Sequence, residues 1–166
     1  MRARPVRLNA TIAWLFMIGS ACFALGTVPA YASAVGATAD AITFFIGSLF
    51  FTSASFSQLV QSQSPWMTGV DAAAQDVPAP VVVRAWLPGD RNWLAAATQF
   101  PGTLFFNIST LAAVAHNLTA READRYVWRP DFFGSILFLV ASTFAILALG
   151  EGFLACGWIG KGRLAE

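Results

Sequence analysis

The sequence predicts an all-α fold, a polytopic membrane four-helix bundle of two repeated helical hairpins in a single membrane domain, 1–166. Three observations predict it. The chain is 57% hydrophobic and only 11% charged, with a mean hydropathy of +0.61, whereas an ordinary soluble domain carries about 25% charged residues. The charges are segregated: no Asp, Glu, Lys or Arg occurs in 8–39, 41–70 or 92–120. Each gap exceeds the roughly 20 apolar residues that cross about 30 Å of hydrocarbon. The third observation is a residue pattern that recurs in every apolar segment.

The first span reads as 8–28 and ends before Pro29. The second, 41–60, stops in the polar string from Gln61 to Ser64. A long loop, 61–92, follows; Asp71, Asp76, Pro78, Pro80 and Pro88 break regular structure in it, and Trp66, Trp86 and Trp93 are placed as interfacial anchors. Within it, Val81, Val82 and Val83 suggest a short interfacial strand. The third span covers 93–118 and the fourth 132–154, after an outer loop 119–131. Asp40 and Asp131, just ahead of the second and fourth spans, read as carboxylates favourable to a helix N-terminus.

Basic residues in short flanks set orientation. Arg2, Arg4, Arg7, Arg84, Arg91, Lys161 and Arg163 fall on one side, against Arg121, Arg125 and Arg129 on the other. This predicts a multi-pass protein of the plasma membrane with a cytoplasmic N-terminus and a cytoplasmic 61–92 loop, although the 119–131 loop dissents. A rival reading makes span one a cleaved signal peptide, with Ala30, Tyr31 and Ala32 as its cleavage pattern. Its apolar core is longer than the roughly 7–15 residues of a signal peptide, and the repeat begins inside it. Both points argue for a retained helix.

The recurring pattern is Gly, a hydroxyl at +1, Phe at +4, a small residue at +7 and a hydroxyl at +8. It reads Gly19, Ser20, Phe23, Gly26 and Thr27 in span one, then Gly47, Ser48, Phe51, Ala54 and Ser55 in span two. Span three has Gly102, Thr103, Phe106, Ser109 and Thr110, and span four Gly134, Ser135, Phe138, Ala141 and Ser142. At 100° per residue these positions form one stripe roughly 120° wide. Small residues let helices approach, and hydroxyls bond across the contact. The plainer reading is a packing seam; the sharper one is that the hydroxyls line a polar path. The order suggests duplication of a hairpin about an axis along the membrane normal.

At these residues the chain resembles a group of uncharacterised, mostly actinobacterial, multi-span integral membrane proteins with YrhK-like segments. The shared stretches are AITFFIGSLFFTSASF (41–56), TQFPGTLFFNIST (98–110), and Trp128, Arg129, Pro130 and Asp131 leading into Gly134 and Ser135. The resemblance runs to about Gly150 and implies several membrane spans with no catalytic residues to carry over. Members of the group continue into further spans, whereas 156–166 does not follow their pattern, which suggests a truncated or shifted C-terminus.

Few residues point to chemistry. His116 is the only histidine, with no partner at helical spacing for a metal; a hydrogen-bonded interfacial residue is the plainer reading and a proton-linked role the sharper one. Gln99 and Asn107, eight apart in span three, and Gln58 in span two read first as amides bonding a neighbouring helix. Gln99, Asn107 and His116 together form the one candidate polar site. Cys22 and Cys156 lack the spacing of a redox pair, and Glu151 lies near the inner end of span four. No cofactor, metal set, nucleophile and base, or phosphate loop is indicated, and a net charge of +1 argues against nucleic acid. The partners expected are the lipid bilayer and a homo-oligomer or other membrane subunits. The reading is a structural or accessory helix-bundle protein, with a transporter or channel subunit as the alternative and an enzyme as the weakest.

Overall fold

The computed structural model describes residues 2–64, 77–83, 86–115 and 118–162, with side chains of the last helix described to residue 150. Helix α1 (Pro5–Gly26) opens on a proline, whose missing N–H falls where a helix has no acceptor for it. The chain turns after Gly26, where the Thr27 hydroxyl donates back to the Ala24 carbonyl at 2.8 Å. Pro29 then opens α2 (Pro29–Ser62) in the same way. The stretch between the first two spans, expected as a loop, is therefore helical.

It is broken at Gly36, whose φ of 81° and ψ of 162° lie outside the range of side-chain-bearing residues. Twelve residues of straight helix would span about 18 Å. The Tyr31 hydroxyl and Thr43 Oγ1, twelve apart across the break, share a hydrogen bond of 2.8 Å. The chain thus bends sharply at Gly36 and folds residues 29–35 back against the start of the span. Asp40 stands four residues beyond this break rather than in front of the helix. Its Oδ1 is buried with no hydrogen-bond partner among the described residues.

Two short strands tie the chain start to the long loop. β1 (Arg2–Ala3) pairs antiparallel with β2 (Ala79–Pro80), Arg2 opposite Pro80 and Ala3 opposite Ala79. The strand expected at Val81–Val83 lies two residues earlier, where Ala79 and Pro80 meet Ala3 and Arg2. Gln61 Nε2 donates to Asn9 Oδ1, and the Val82 N–H donates to Ser64 Oγ at 3.0 Å. The N-terminus and the segment after α2 therefore share one end of the molecule.

Helix α3 (Arg91–Val114) is capped by Asp90, whose carboxylate accepts from the N–H groups of Asn92 (2.7 Å) and Trp93 (3.2 Å). The last helical run begins eleven residues before Asp131. Helix α4 (Ala120–Ala123) starts on a capping box between Thr119 and Glu122. A wide turn, Asp124–Trp128, joins it to α5 (Arg129–Gly162). Pro130 explains the wide turn. It has no N–H for the Tyr126 carbonyl and its ring crowds that position, so the backbone opens and the Arg129 N–H reaches the Asp124 carbonyl instead. The expected 119–131 loop is thus helix, and Asp131 sits inside it.

The long helices pack in chain order: α1 on α2, α2 on α3, α3 on α5, with no extended contact between α1 and α5. Each neighbour is antiparallel: Gly26 meets Phe44 while Asn9 meets Gln61, Ser48 meets Thr110 while Phe56 meets Phe100, and Gly102 meets Phe138 while Phe106 meets Gly134. The bundle is therefore an arc, open between its outer helices.

Its interior is made of small and hydroxyl-bearing residues. Ala54, Ala96, Ser48, Ser55 and Thr103 are fully buried, while Trp14, Met17, Leu139, Ile146 and Leu149 are each more than half exposed. Large apolar side chains outside and small ones inside suit lipid as the surrounding solvent. Among the described residues, three helices are long and apolar enough to cross a membrane: α1, α2 and the continuous helix Ala120–Gly150. The third expected span corresponds to α3, which is less apolar because it carries Thr98, Gln99, Thr103, Asn107, Ser109 and Thr110.

Replacing Gly36 by alanine tests the bend. A Cβ there meets nothing within 4 Å, so any cost comes from the backbone alone. We expect Gly36→Ala to lose about 1–3 kcal/mol in detergent unfolding, and an unchanged midpoint would show that the bend does not require glycine.

Candidate functional site

The repeated residues meet at the helix contacts and around one hollow. A Cβ on Gly19 would lie 2.9 Å from the Phe51 ring and 3.1 Å from the Gly47 carbonyl oxygen; one on Gly47 would lie 2.9 Å from both the Phe23 ring and Cys22 Cβ. The second hairpin repeats this geometry. A Cβ on Gly102 would lie 2.9 Å from the Phe138 ring, and one on Gly134 would lie 3.1 Å from the Gly102 carbonyl oxygen and 3.3 Å from the Phe106 ring. Gly26, at +7 in α1, receives the Phe44 ring at 2.6 Å from where its Cβ would be. In each hairpin the two +4 phenylalanines meet edge to face, Phe23 with Phe51 at 5.4 Å and Phe106 with Phe138 at 5.3 Å between ring centroids.

These contacts match α1 with α5 and α2 with α3, outer with outer and inner with inner. An axis along the helices cannot exchange α2 with α3, because neighbours in the arc run in opposite directions.

The hydroxyls divide by position in the arc. On the inner helices Ser48, Ser55, Thr103, Ser109 and Thr110 are buried; on the outer ones Ser20, Thr27, Ser135 and Ser142 are exposed. Ser48 and Thr110 share a hydrogen bond of 3.0 Å across the α2–α3 contact. By the same exchange of +1 with +8, the counterpart pair is Ser55 and Thr103. The Thr103 hydroxyl instead donates to the Phe100 carbonyl at 2.6 Å, and Ser55 Oγ has no partner among the described residues. Ser48, Thr110, Ser135 and Ser142 also donate to carbonyls three or four residues back in their own helices.

The concave side of the arc encloses a hollow of about 520 Å³. Its walls are the +4 phenylalanines of all four long helices, Phe23, Phe51, Phe106 and Phe138, and the +1 serines Ser20, Ser48 and Ser135. Thr103 is the one +1 hydroxyl that does not line it. The wall is mainly aromatic.

The amides do not converge on one another in any described hydrogen bond. Asn107 Oδ1 and Gln58 Oε1 are buried without a hydrogen-bond partner among the described residues, and Gln99 is half-buried. His116 lies outside the described residues, as do Trp66, Asp71, Asp76, Arg84 and Arg163 and the side chains of Glu151, Cys156 and Lys161. Trp93, expected as an interfacial anchor, is buried against Trp86, with ring centroids 5.0 Å apart.

A second hollow, about 680 Å³, lies at the wide turn. Asp124, Trp128, Arg129 and Asp131 line it, with Phe132, Phe133 and Ser135. The Arg129 guanidinium pairs with Asp124 Oδ2 at 2.8 Å, five residues back. The widened backbone turn aligns these two side chains. The sequence reading places Asp124, Trp128, Arg129 and Asp131 in the 119–131 loop and Phe132, Phe133 and Ser135 in the fourth span; Pro130 in a run of charged residues at helical spacing is the signal that joins them. At the exposed start of this helix, ahead of the apolar stretch that begins at Phe132, the Thr119 hydroxyl and N–H both donate to Glu122. They hold its carboxyl below the ordinary carboxylate range.

No family model, curated protein or solved structure matches the chain.

Two expectations test the glycine contacts and the hydroxyl pair. Gly102→Val should destabilise by about 1–3 kcal/mol through overpacking against Phe138. Gly150→Ala, where a Cβ meets nothing within 4 Å, should be neutral in the same thermal unfolding. A double-mutant cycle of Ser48→Ala and Thr110→Ala should give a coupling of about 0.5–1 kcal/mol; additive effects would show the bond contributes nothing.

Proposed function

We propose that the chain is a four-span protein of the plasma membrane, its N-terminus cytoplasmic, acting as a structural or accessory helix bundle. The observation that carries this reading is the inverted distribution of side chains: large apolar residues such as Leu139 and Trp14 face outward, and Ser48, Ser55 and Thr103 lie inside. In water such a surface would aggregate; in lipid it is the solvated state. α3 crosses as the third span because α2 and α5 flank it and its Thr103, Ser109 and Thr110 hydroxyls are buried. Its 24 residues reach about 36 Å at helical rise, enough for the hydrocarbon.

Orientation follows the arginines. Arg2 lies in β1, Arg4 and Arg7 adjoin it, and Arg91 begins α3 at the same end. The resemblance to multi-span proteins with YrhK-like segments is in keeping with this reading. Ser48 and Ser135 of the central hollow donate within their own helices, and with its aromatic wall this favours packing over the alternative of a transporter or channel subunit, since a conduit needs polar groups free to replace water. A homo-oligomer or another membrane subunit is the partner such a bundle serves.

Topology is testable in whole cells with Cys22 and Cys156 replaced by serine. Val77→Cys should resist a membrane-impermeant maleimide until the cells are opened, and Thr119→Cys should react from outside. The reverse pattern would invert the orientation. Reaction of both from the same side would remove α3 as a span.

A further inference from the structure

The two hollows meet at Ser135, which lines both. Trp128, Asp131, Ser135 and Phe138 follow one another at spacings of three, four and three, so they share one face of the helical run. That face starts among charged and aromatic groups and passes, about 10 Å along the helix axis from Asp131 to Phe138, into the phenylalanine-lined hollow. Trp128 is 67% and Phe132 62% exposed, as befits side chains anchored at the membrane–water boundary.

The two ends differ in what they can hold. The inner hollow offers rings and serines, and Ser48 and Ser135 already donate within their own helices. A trapped water needs two to four polar partners, so the apolar matter beside an arc open between α1 and α5 fills it better. The outer end carries one guanidinium, on Arg129, and two carboxylates, on Asp124 and Asp131. Arg129 is engaged with Asp124 and is 67% exposed, within reach of a phosphate. Asp131 adds a carboxylate suited to an ammonium donor, and the excess negative charge disfavours an anionic head. Each hollow falls in the range of about 300–1,000 Å³ usual for small-molecule sites.

We infer that this continuous groove binds one phospholipid bearing a primary amine, of the phosphatidylethanolamine class. Its acyl chain lies against Phe106 and Phe138, its phosphate at Arg129 and its ammonium at Asp131. The inference rests on the membrane-spanning reading above.

The test is native mass spectrometry of the full chain released from nanodiscs of equal phosphatidylethanolamine and phosphatidylglycerol, after carbonate washing of membranes has established integration. One phosphatidylethanolamine should be retained per chain. Ser135→Leu, at an exposed position, should block the junction and abolish retention. Asp131→Asn should lower the preference over phosphatidylglycerol by about tenfold, the effect of losing one charge-assisted contact. An integrated protein that retains no lipid, retains both lipids equally, or is unaffected by Ser135→Leu would overturn the inference. So would a dimer whose groove is lipid-free. Release by carbonate would instead overturn the spanning reading, and the lipid site with it.

Discussion

Close approach of helix backbones at four glycines governs the geometry of the rest. Gly19 and Gly47 in one hairpin, and Gly102 and Gly134 in the other, leave room for the ring of a phenylalanine from the facing helix. Lipid provides no hydrophobic drive between helices, so contact area gained by approach is what holds them. With the glycines in contact, the +4 rings are forced into edge-to-face pairs. The +1 and +8 hydroxyls are then brought to the α2–α3 seam or left at the edges of the groove. The groove itself is the space that four rings enclose when the arc closes on three sides only.

The bilayer explains a second regularity. A backbone group without a partner is costly in hydrocarbon, and the two strongest departures from regular helix stand at helix ends. Gly36 bends the chain soon after α2 begins, and the wide turn at Asp124–Trp128 precedes the apolar stretch of α5. Pro101 is the exception, since it frees the Ala97 carbonyl within α3. That helix lies between α2 and α5, away from much of the surrounding apolar solvent. Hydroxyls elsewhere meet the same constraint by donating to carbonyls of their own helices.

The arc divides the repeat positions between burial and exposure. A bundle that buries every repeat position would present a plain apolar surface. Here the outer helices keep Ser20, Thr27, Ser135 and Ser142 exposed while the same positions of the inner helices are largely sealed. One set of residues thus serves as seam in the middle and as groove wall at the edges.

The sequence carries the helical class and the existence of the apolar segments, but α2 and the last helical run each begin twelve residues ahead of the expected span. Those properties follow from local spacing: a run of apolar residues sets a span, and a stripe at 0, +4 and +7 sets a face. It also held the information for the bend and the wide turn, in Gly36 and Pro130, but a glycine or proline between apolar runs reads equally well as a loop. Residues 29–40 and 119–131 therefore read as connections, and Asp40 and Asp131 as helix starts. Only the tertiary structure decided which helix neighbours which. It packed α1 on α2, α2 on α3 and α3 on α5, left the arc open between α1 and α5, and brought the Arg129–Asp124 pair and the Phe106–Phe138 wall together at Ser135. A stripe repeated in four helices is compatible with several arrangements. The short connections within each hairpin, the Ser48–Thr110 contact between hairpins and the fit of each ring over its glycine select this one.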